Sequence, residues 1–151
     1  MKTKKLLFIL NPRAGRNKPH GPLFDALAIL SGAGYLIRIH ETSAPGDAAD
    51  TAAREGAGYD LVVAAGGDGT LNEVVNGAAS FDNAAVTCVP KGTGNDFLKL
   101  FGPRFRELFY DLEALAAGPQ RAFDLMDCNG KLGLDVICAG VDARIAAGVH
   151  K

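Results

Sequence analysis

The sequence predicts an α/β fold: a mostly parallel β-sheet with helices on both faces, followed by the start of an antiparallel β domain. Short apolar runs alternate at least four times with segments of helical periodicity. The runs are apolar throughout, which is typical of parallel strands that are covered on both faces. Near the C-terminus, Asn129-Gly130 separates two strand-like runs, Ala122–Cys128 and Lys131–Ala139, and this dipeptide is a strong hairpin signal.

The first half of the chain contains two predicted helices between three predicted strands. The helix Pro22–Ala33 has apolar residues at helical spacing, namely Leu23, Phe24, Leu27 and Leu30. A second helix, from about Gly46 to Glu55, has Thr42 or Ser43 as its predicted N-cap and a small-residue face suited to close packing. That face consists of Ala48, Ala49, Ala52 and Ala53. The predicted strands are Leu6–Leu10, Tyr35–His40 and Leu61–Ala65.

The second half begins with a predicted helix at Thr70–Ala79, a strand at Ala85–Val89 and a short helix after Gly94. A longer helix follows, because apolar residues recur on one face: Phe105, Leu108, Phe109, Leu112 and Leu115. Residues 1–120 are therefore predicted to form the α/β domain. Residues 121–151 are predicted to begin a truncated β-rich second domain, because its strands lack partners. Unpaired strands are compatible with a homo-oligomer, and equally with pairing inside a longer parent protein.

Composition excludes several classes of protein. With 48% hydrophobic and 22% charged residues the chain is of ordinary globular composition, and a net charge of −1 argues against nucleic-acid binding. The first apolar run, Leu6–Leu10, is too short for a signal peptide, and we expect no transmembrane segment. The 3 cysteines lack CxxC spacing, which is typical of reduced thiols and predicts a cytoplasmic protein that can still contact the inner face of a membrane.

The stretch Gly66-Gly67-Asp68-Gly69-Thr70 is the most informative one, because it joins a buried strand to a helix. Its three glycines are expected to take positive φ values and let the backbone approach a ligand, and the start of the helix offers free N–H groups to a phosphate. A carboxylate beside bound phosphates needs a cation between them, so Asp68 is a candidate Mg²⁺ ligand or proton acceptor. The alternative is that Asp68 only caps the helix.

Further polar or glycine-rich loops follow the other predicted strands, at Asn11–Arg16, Thr42–Gly46 and Lys91–Asp96. If the sheet is parallel, these loops converge on one edge with the glycine turn, where ligands of such sheets bind. Asn11 can offer its amide to a base or ribose, and Thr70 and Thr93 can offer hydroxyls. Arg13, Arg16 and Lys91 can neutralise phosphate oxygens, although solvated loops explain the two arginines equally well.

Three motifs, in this order and spacing, resemble the catalytic domain of the diacylglycerol kinase family. They are Asn11-Pro12-Arg13-Ala14-Gly15, Gly66-Gly67-Asp68-Gly69-Thr70-Leu71-Asn72-Glu73 and Pro90-Lys91-Gly92-Thr93-Gly94-Asn95-Asp96-Phe97. That family includes bacterial lipid kinases and sphingosine and ceramide kinases. The resemblance implies a nucleotide-binding domain of the lipid/NAD kinase type, with ATP held between it and a β-rich domain.

The chemistry of the residues and the resemblance together predict the site. Asp68 is predicted to be catalytic and to bind Mg²⁺. The residues predicted to bind the nucleotide are Asn11, Arg13, Gly66, Gly67, Gly69, Thr70, Glu73, Lys91, Gly92, Thr93, Gly94 and Asn95. For Glu73, which resembles the polar helix face of the family, an exposed helix side is an alternative. In the family, the general base comes from the later part of the β domain, so we expect it to lie beyond Lys151.

The function expected from this resemblance is transfer of the γ-phosphoryl group of ATP, with Mg²⁺, to a hydroxyl of diacylglycerol or a related lipid at a membrane surface. One alternative is an NAD kinase-like enzyme with a soluble acceptor, because NAD kinases resemble the chain at the glycine-aspartate-glycine turn. The stretch Pro90–Phe97 matches the lipid kinases better. Another alternative is a non-catalytic nucleotide-binding module that acts with a partner chain.

Overall fold

Four parallel strands form the central sheet of the protein, whose computed structural model describes residues 3–15, 21–82, 85–138, 141, 143 and 144. The spatial order of the strands is β2-β1-β3-β4. Their bounds are β1 (Lys4–Leu10), β2 (Tyr35–Glu41), β3 (Leu61–Gly66) and β4 (Ala85–Pro90). The predicted fold class is confirmed.

Helices cover both faces of this sheet. They are α1 (Gly21–Gly32), α2 (Asp47–Glu55), α3 (Asp68–Ala78), α4 (Asp96–Lys99), α5 (Gly102–Arg106) and α6 (Leu112–Ala117). Leu7 and Ile9 of β1 pack in a core cluster with α2, α3 and α4, whereas Leu6 and Phe8 pack in a second cluster with α1 and Ala116 of α6. Side chains alternate between the two faces along a strand, so the uninterrupted apolar run of β1 supplies both clusters.

Helices α2 and α3 pack closely on one face of the sheet. A Cβ atom on Gly77 of α3 would lie 2.2 Å from the Ala49 carbonyl oxygen and 2.8 Å from the Ala52 Cβ atom. Ala48 and Ala52 are buried as the predicted small-residue face requires, but Ala53 is exposed and Thr51 is buried instead. The alanines therefore bring α2 onto α3 as well as onto the sheet.

Three local expectations are wrong. The N-cap of α2 is Gly46, at φ 89°, with no side-chain hydrogen bond, so neither Thr42 nor Ser43 caps this helix. Phe24 is 72% exposed, although its spacing places it with the apolar residues of α1. The predicted longer helix after α4 is replaced by α5, a single 3-10 turn at Glu107–Phe109, and α6, because the chain turns at Tyr110 and Asp111.

The predicted hairpin is present at the C-terminal end of the described chain. Strands β5 (Met126–Cys128) and β6 (Lys131–Gly133) pair antiparallel, and Asn129 and Gly130 have φ values of 53° and 80°, as a two-residue turn with both residues at positive φ requires. Both strands are shorter than predicted. Most of residues 139–151 lie outside the described residues. The domain boundary at residue 120 stays a prediction.

The three cysteines are free thiols in different surroundings. Cys88 on β4 is buried in the core, whereas Cys128 and Cys138 are exposed. Among the helices of the described ranges, none has both the length and the apolar character needed to cross a membrane.

Candidate functional site

The loops that follow β1, β3 and β4 meet at the carboxyl edge of the sheet and enclose a cleft of about 530 Å³. We call it the loop cleft. Its lining residues are Asn11, Arg13, Ala14, Gly15, Gly67, Gly69, Thr70, Lys91, Gly92 and Thr93. Eight of these ten were expected at the site from the sequence, and all four predicted loop segments except Thr42–Gly46 contribute to the lining.

Backbone hydrogen bonds continue the strand ladder into these loops. The Asn11 N–H donates to the Ala65 carbonyl at 2.9 Å, and the Lys91 N–H donates to the Gly66 carbonyl at 2.8 Å. The Asn11 amide Nδ2 also donates to Thr70 Oγ1 at 3.0 Å. The sheet therefore sets the positions of all three loops relative to one another.

The glycines of the turn allow close packing and do not take unusual φ values. Gly67 has φ −95°, and neither Gly66 nor Gly69 is among the glycines with positive φ, so that part of the expectation is wrong. A Cβ atom on Gly92 would lie 2.6 Å from Gly67 Cα, and one on Gly66 would lie 2.4 Å from Thr70 Oγ1. Two loops thus touch through glycine backbone. Beside Gly69, by contrast, nothing lies within 4 Å of the position of a Cβ atom.

Asp68 lies in the first turn of α3, because this helix begins two residues earlier than predicted, and Gly67 takes the N-cap position. No side chain caps the helix, so the capping alternative for Asp68 is wrong. Its Oδ1 atom instead accepts a hydrogen bond from the Phe97 N–H at 3.2 Å, which joins the glycine turn to α4. Its Oδ2 atom, like Oδ2 of Asp96, lies 3.3 Å from the position of a Cβ atom on Gly94.

The negative charge of Asp68 affects the pKa of a thiol in the core behind the loop cleft. Burial of the Cys88 thiol raises its pKa to about 12, and the negative charge of Asp68 adds to this shift. Cys88 therefore stays protonated and apolar in character beneath the carboxylate.

Positive charge and free donors line the loop cleft. Lys91 is half-buried and Arg13 is exposed, and neither forms an ion pair with another described residue. The first turn of α3, which begins at Asp68, opens beside them with the unpaired N–H groups of a helix N-terminus. Such a combination of donors suits an anionic ligand.

Several predicted residues lie around the loop cleft and do not line it. Gly66 packs on Thr70, and Gly94 lies next to Asp68. Asn95, the N-cap of α4 at φ 47°, donates from Nδ2 to the Gly92 carbonyl at 3.0 Å and so holds its own loop together. Arg16 lies outside the described residues.

Glu73 connects the remaining loop to α3. Its Oε1 atom accepts a hydrogen bond from the Gly46 N–H at 3.0 Å, so its carboxylate is used within the fold. Behind that loop lies a polar network that sequence reasoning missed: His40 Nε2 contacts Asp47 Oδ1 at 3.0 Å and Thr51 Oγ1 at 3.1 Å. Hydrogen bonds from Ser43 and from His40 hold the pKa of Asp47 well below its usual range.

Two residues that line the loop cleft were also missed. Ala14 and Gly15 lie between Arg13 and the end of the described segment, and Gly15 has φ 67°. The signal was present in the sequence, because a small residue followed by glycine after Asn-Pro is typical of a tight turn.

Comparison with known proteins decides the family. Residues 5–128 match the model of the diacylglycerol kinase catalytic domain. The chain belongs to this family. A diacylglycerol kinase of Bacillus subtilis (strain 168) is 36% identical over 140 residues, which are 91% of this chain and 46% of that relative. A diacylglycerol kinase of Staphylococcus aureus (strain bovine RF122 / ET3-1) is 36% identical over 142 residues, 91% of this chain and 44% of that relative.

Solved structures of the diacylglycerol kinase family share the fold. The crystal structure of a diacylglycerol kinase from Bacillus anthracis str. Sterne aligns with a TM-score of 0.74 at 29% identity, and the match covers 87% of this chain and 46% of that one. The chain thus spans less than half of the length of these relatives.

Proposed function

We propose that the chain is the nucleotide-binding part of an ATP- and Mg²⁺-dependent lipid kinase, which transfers the γ-phosphoryl group to a hydroxyl of diacylglycerol or a related lipid. The contact between the glycine turn and the Lys91–Asn95 loop carries this proposal. Gly92 meets Gly67 there, where a Cβ atom would lie 2.6 Å from Gly67 Cα, and the cleft beside this contact is lined by Lys91, Arg13 and Thr93. Positive charge, free N–H groups and hydroxyls around one cleft are what a polyphosphate requires.

The size of the loop cleft supports a small-molecule ligand. Its volume of about 530 Å³ lies within the usual range for such sites. Nothing lies within 4 Å of a Cβ position on Gly69, so ligand atoms have room to approach the backbone at the start of α3. We assign the phosphates to this end, and the nucleotide to the side of the cleft that Asn11 borders.

The donors around Asp68 fit a magnesium ion bound with phosphates. Mg²⁺ in kinase sites is usually held by one or two carboxylates, with the remaining ligands from phosphate and water. Asp68 keeps Oδ2 beside Gly94 while Oδ1 is bound to the Phe97 N–H, and Asp96 Oδ2 borders the same glycine. No group of three or more His, Cys, Asp or Glu side chains that could hold a metal ion by itself occurs in the described ranges.

Phosphoryl transfer depends on positioning and on charge stabilisation. When bound, Mg²⁺ neutralises the β- and γ-phosphates. Lys91 and the N-terminus of α3 would then stabilise the negative charge that builds up on the transferred group. Thr70 is already oriented by its hydrogen bond from Asn11, at 3.0 Å, so the hydroxyl and the amide are preorganised. The lipid acceptor is proposed from the family to which the chain belongs, and its approach from the cytoplasmic face of a membrane is part of the same proposal.

An isosteric substitution tests the role of Asp68. Asp68→Asn keeps an oxygen that can accept from the Phe97 N–H and removes the negative charge. We expect ATP to bind this variant with little dependence on Mg²⁺, and turnover of a full-length form to fall by about 10²-fold or more. Calorimetric titration with and without Mg²⁺ measures the binding, and transfer of labelled phosphate to diacylglycerol in micelles measures turnover.

Asp50→Asn is the matched control, because Asp50 is an exposed carboxylate on α2. It should leave Mg²⁺-dependent binding unchanged. Absence of ATP binding to the native chain would contradict the proposal. Transfer to NAD instead of diacylglycerol would replace the lipid by a soluble acceptor, and ATP binding without transfer to any acceptor would leave a non-catalytic module.

A further inference from the structure

The hairpin β5–β6 leaves the backbone N–H and C=O groups of Leu132 without hydrogen-bond partners in its own two strands. In a two-residue hairpin the residues next to the turn, here Cys128 and Lys131, form the hydrogen-bonded pair. The next pair, Asp127 and Leu132, is then of the non-hydrogen-bonded type. The N–H and C=O groups of Leu132 therefore point away from β5, toward the place of a third strand.

The side chain of Asn76 occupies that place. Leu132 N–H donates to Asn76 Oδ1 at 2.9 Å, and Asn76 Nδ2 donates to the Leu132 carbonyl at 2.8 Å. The second Nδ2 hydrogen is taken by the Asn72 carbonyl at 2.8 Å, which fixes the amide on its own helix. An amide side chain carries one acceptor and two donors, so every group of Asn76 is used.

Helix α3 therefore connects the loop cleft to the hairpin. Asp68 lies in its first turn, and Asn76 lies eight residues later, about 12 Å along a straight helix. The helix is fixed on both sides, by core contacts of Leu71 and Val74 and by the close approach of Gly77 to α2. Leu134, just after β6, packs against the same core cluster. A shift of the hairpin relative to Asp68 thus requires loss of the Asn76–Leu132 pair.

We propose that Asn76 is a positioning residue: its amide replaces a strand partner for Leu132 and fixes the antiparallel unit relative to the helix that carries Asp68. The part of this proposal that concerns turnover rests on the proposed function. In a kinase whose acceptor reaches the loop cleft from the side of the hairpin, Asn76 sets the distance between the acceptor and the phosphates without contacting either. Asn76 therefore affects the transfer step and leaves ATP binding by the loops of the loop cleft intact.

Amide hydrogen exchange tests the Asn76–Leu132 pair without any need for turnover. In Asn76→Ala we expect the Leu132 amide to exchange at least about tenfold faster, because one lost hydrogen bond changes a local equilibrium by about that factor. Exchange of the β1 amides should stay unchanged. Asn72→Ala, one turn earlier on the same helix, is the matched control, and it should leave the Leu132 amide protected. Unchanged exchange of Leu132 in Asn76→Ala would overturn the proposal.

A second variant separates this amide pair from a general loss of packing. Asn76→Asp keeps an oxygen that accepts from the Leu132 N–H. At neutral pH it lacks the N–H group that donates to the Leu132 carbonyl in the native chain. Protonation of the introduced carboxyl restores a donor, so we expect the protection factor of the Leu132 amide to recover below about pH 4. A protection factor with the same pH dependence as in the native chain would contradict this role.

Turnover of a full-length form tests the functional part. We expect Asn76→Ala to lower kcat by about tenfold with KM for ATP unchanged, and Asn76→Asp to lower kcat at neutral pH as well, because its carboxylate cannot donate to the Leu132 carbonyl. Equal kcat in the native protein and in Asn76→Ala would overturn the positioning role. A native protein that transfers no phosphate would refute the proposed function, and the exchange measurement would then decide the role of Asn76 alone.

Discussion

Close contact between two loops requires glycine at position 92. Neither Gly67 nor Gly92 has a positive φ value, but a Cβ atom on Gly67 would lie 3.2 Å from Gly92 Cα, which is already tight, and the reverse contact is closer. A Cβ atom on Gly92 would be 2.6 Å from Gly67 Cα and 2.8 Å from Asn95 Oδ1. Backbone cannot move away as the end of a flexible side chain can, so the two loops would have to separate.

The substitution Gly92→Ala should therefore lower both stability and nucleotide affinity. We expect a loss of about 1–3 kcal/mol in the free energy of unfolding, as for other overpacked sites, and weaker ATP binding because the loop cleft opens. Thermal melting and calorimetric titration measure the two effects. Gly58→Ala is the matched control, since nothing lies within 4 Å of a Cβ atom there. Equal melting temperatures for the two variants would show that the loops are not in contact.

The sequence was sufficient to predict most residues of the loop cleft, because strand ends in a parallel sheet share one edge. Asn11, Lys91 and Thr93 were placed correctly on this basis alone. The partner of Glu73 was not predictable, since Gly46 lies 27 residues away and contributes only its backbone N–H. The same is true of Asn76, whose partner is a backbone group 56 residues away.

At the scale of elements, the strand predictions were accurate where burial is complete. β1 reads as an uninterrupted apolar run because Leu6 to Ile9 are fully buried, whereas β2 lies at the edge of the sheet and alternates in exposure. The region after α4 could not be read from periodicity alone. Gly102, the first residue of α5, takes φ 70°, and Asp111 caps α6 by accepting from the Ala114 N–H. Helical spacing continues across these breaks although the helix does not.

The junction between β2 and α2 should be sensitive to acid. The pKa of Asp47 is lowered first by the hydrogen bond from the Ser43 N–H and then by His40. A carboxyl whose pKa is lower in the folded state stabilises the fold above its unfolded pKa, near 4, and this contribution is lost progressively as pH falls below about 5. Asp47→Asn removes the titrating group, so the melting temperature of this variant should depend less on pH than that of the native chain between about pH 6 and pH 3.

Thermal melts at several pH values check this expectation. The native chain should melt higher than Asp47→Asn near neutral pH, and the difference should shrink toward acid pH. Asp25→Asn serves as the control, because Asp25 is exposed on α1 and takes part in no ion pair with another described residue. A difference that stays constant with pH would contradict the assignment to Asp47.

At the scale of the whole molecule, the two sheets differ greatly in how well they are protected. The strand β1 is flanked by β2 and β3 and covered on both faces, and its residues Leu6 to Ile9 are 0% exposed. The hairpin has two strands of 3 residues each, and apolar residues near it are exposed, Val136 at 65% and Met126 at 43%. Local opening is easiest where few apolar contacts are buried.

We therefore expect the chain to open in two steps. Amides of β1 and β3 should exchange only on global unfolding, whereas amides of β5 and β6 should exchange through a smaller opening at low denaturant. Native-state hydrogen exchange at increasing denaturant concentration resolves the two classes. A single common opening free energy for both sheets would contradict this expectation, because the hairpin would then open only together with the central sheet.

The distribution of the three thiols gives the molecule an intrinsic reporter of this order of events. Cys128 and Cys138 are exposed and belong to the hairpin region, whereas the buried Cys88, beneath Asp68, has a pKa raised to about 12. Only thiolates react rapidly with alkylating reagents, so Cys88 is shielded by both burial and protonation until the central sheet comes apart. Cys128 and Cys138 can thus carry a probe in the hairpin region, while Cys88 reports opening of the core behind the loop cleft, with no engineered cysteine needed.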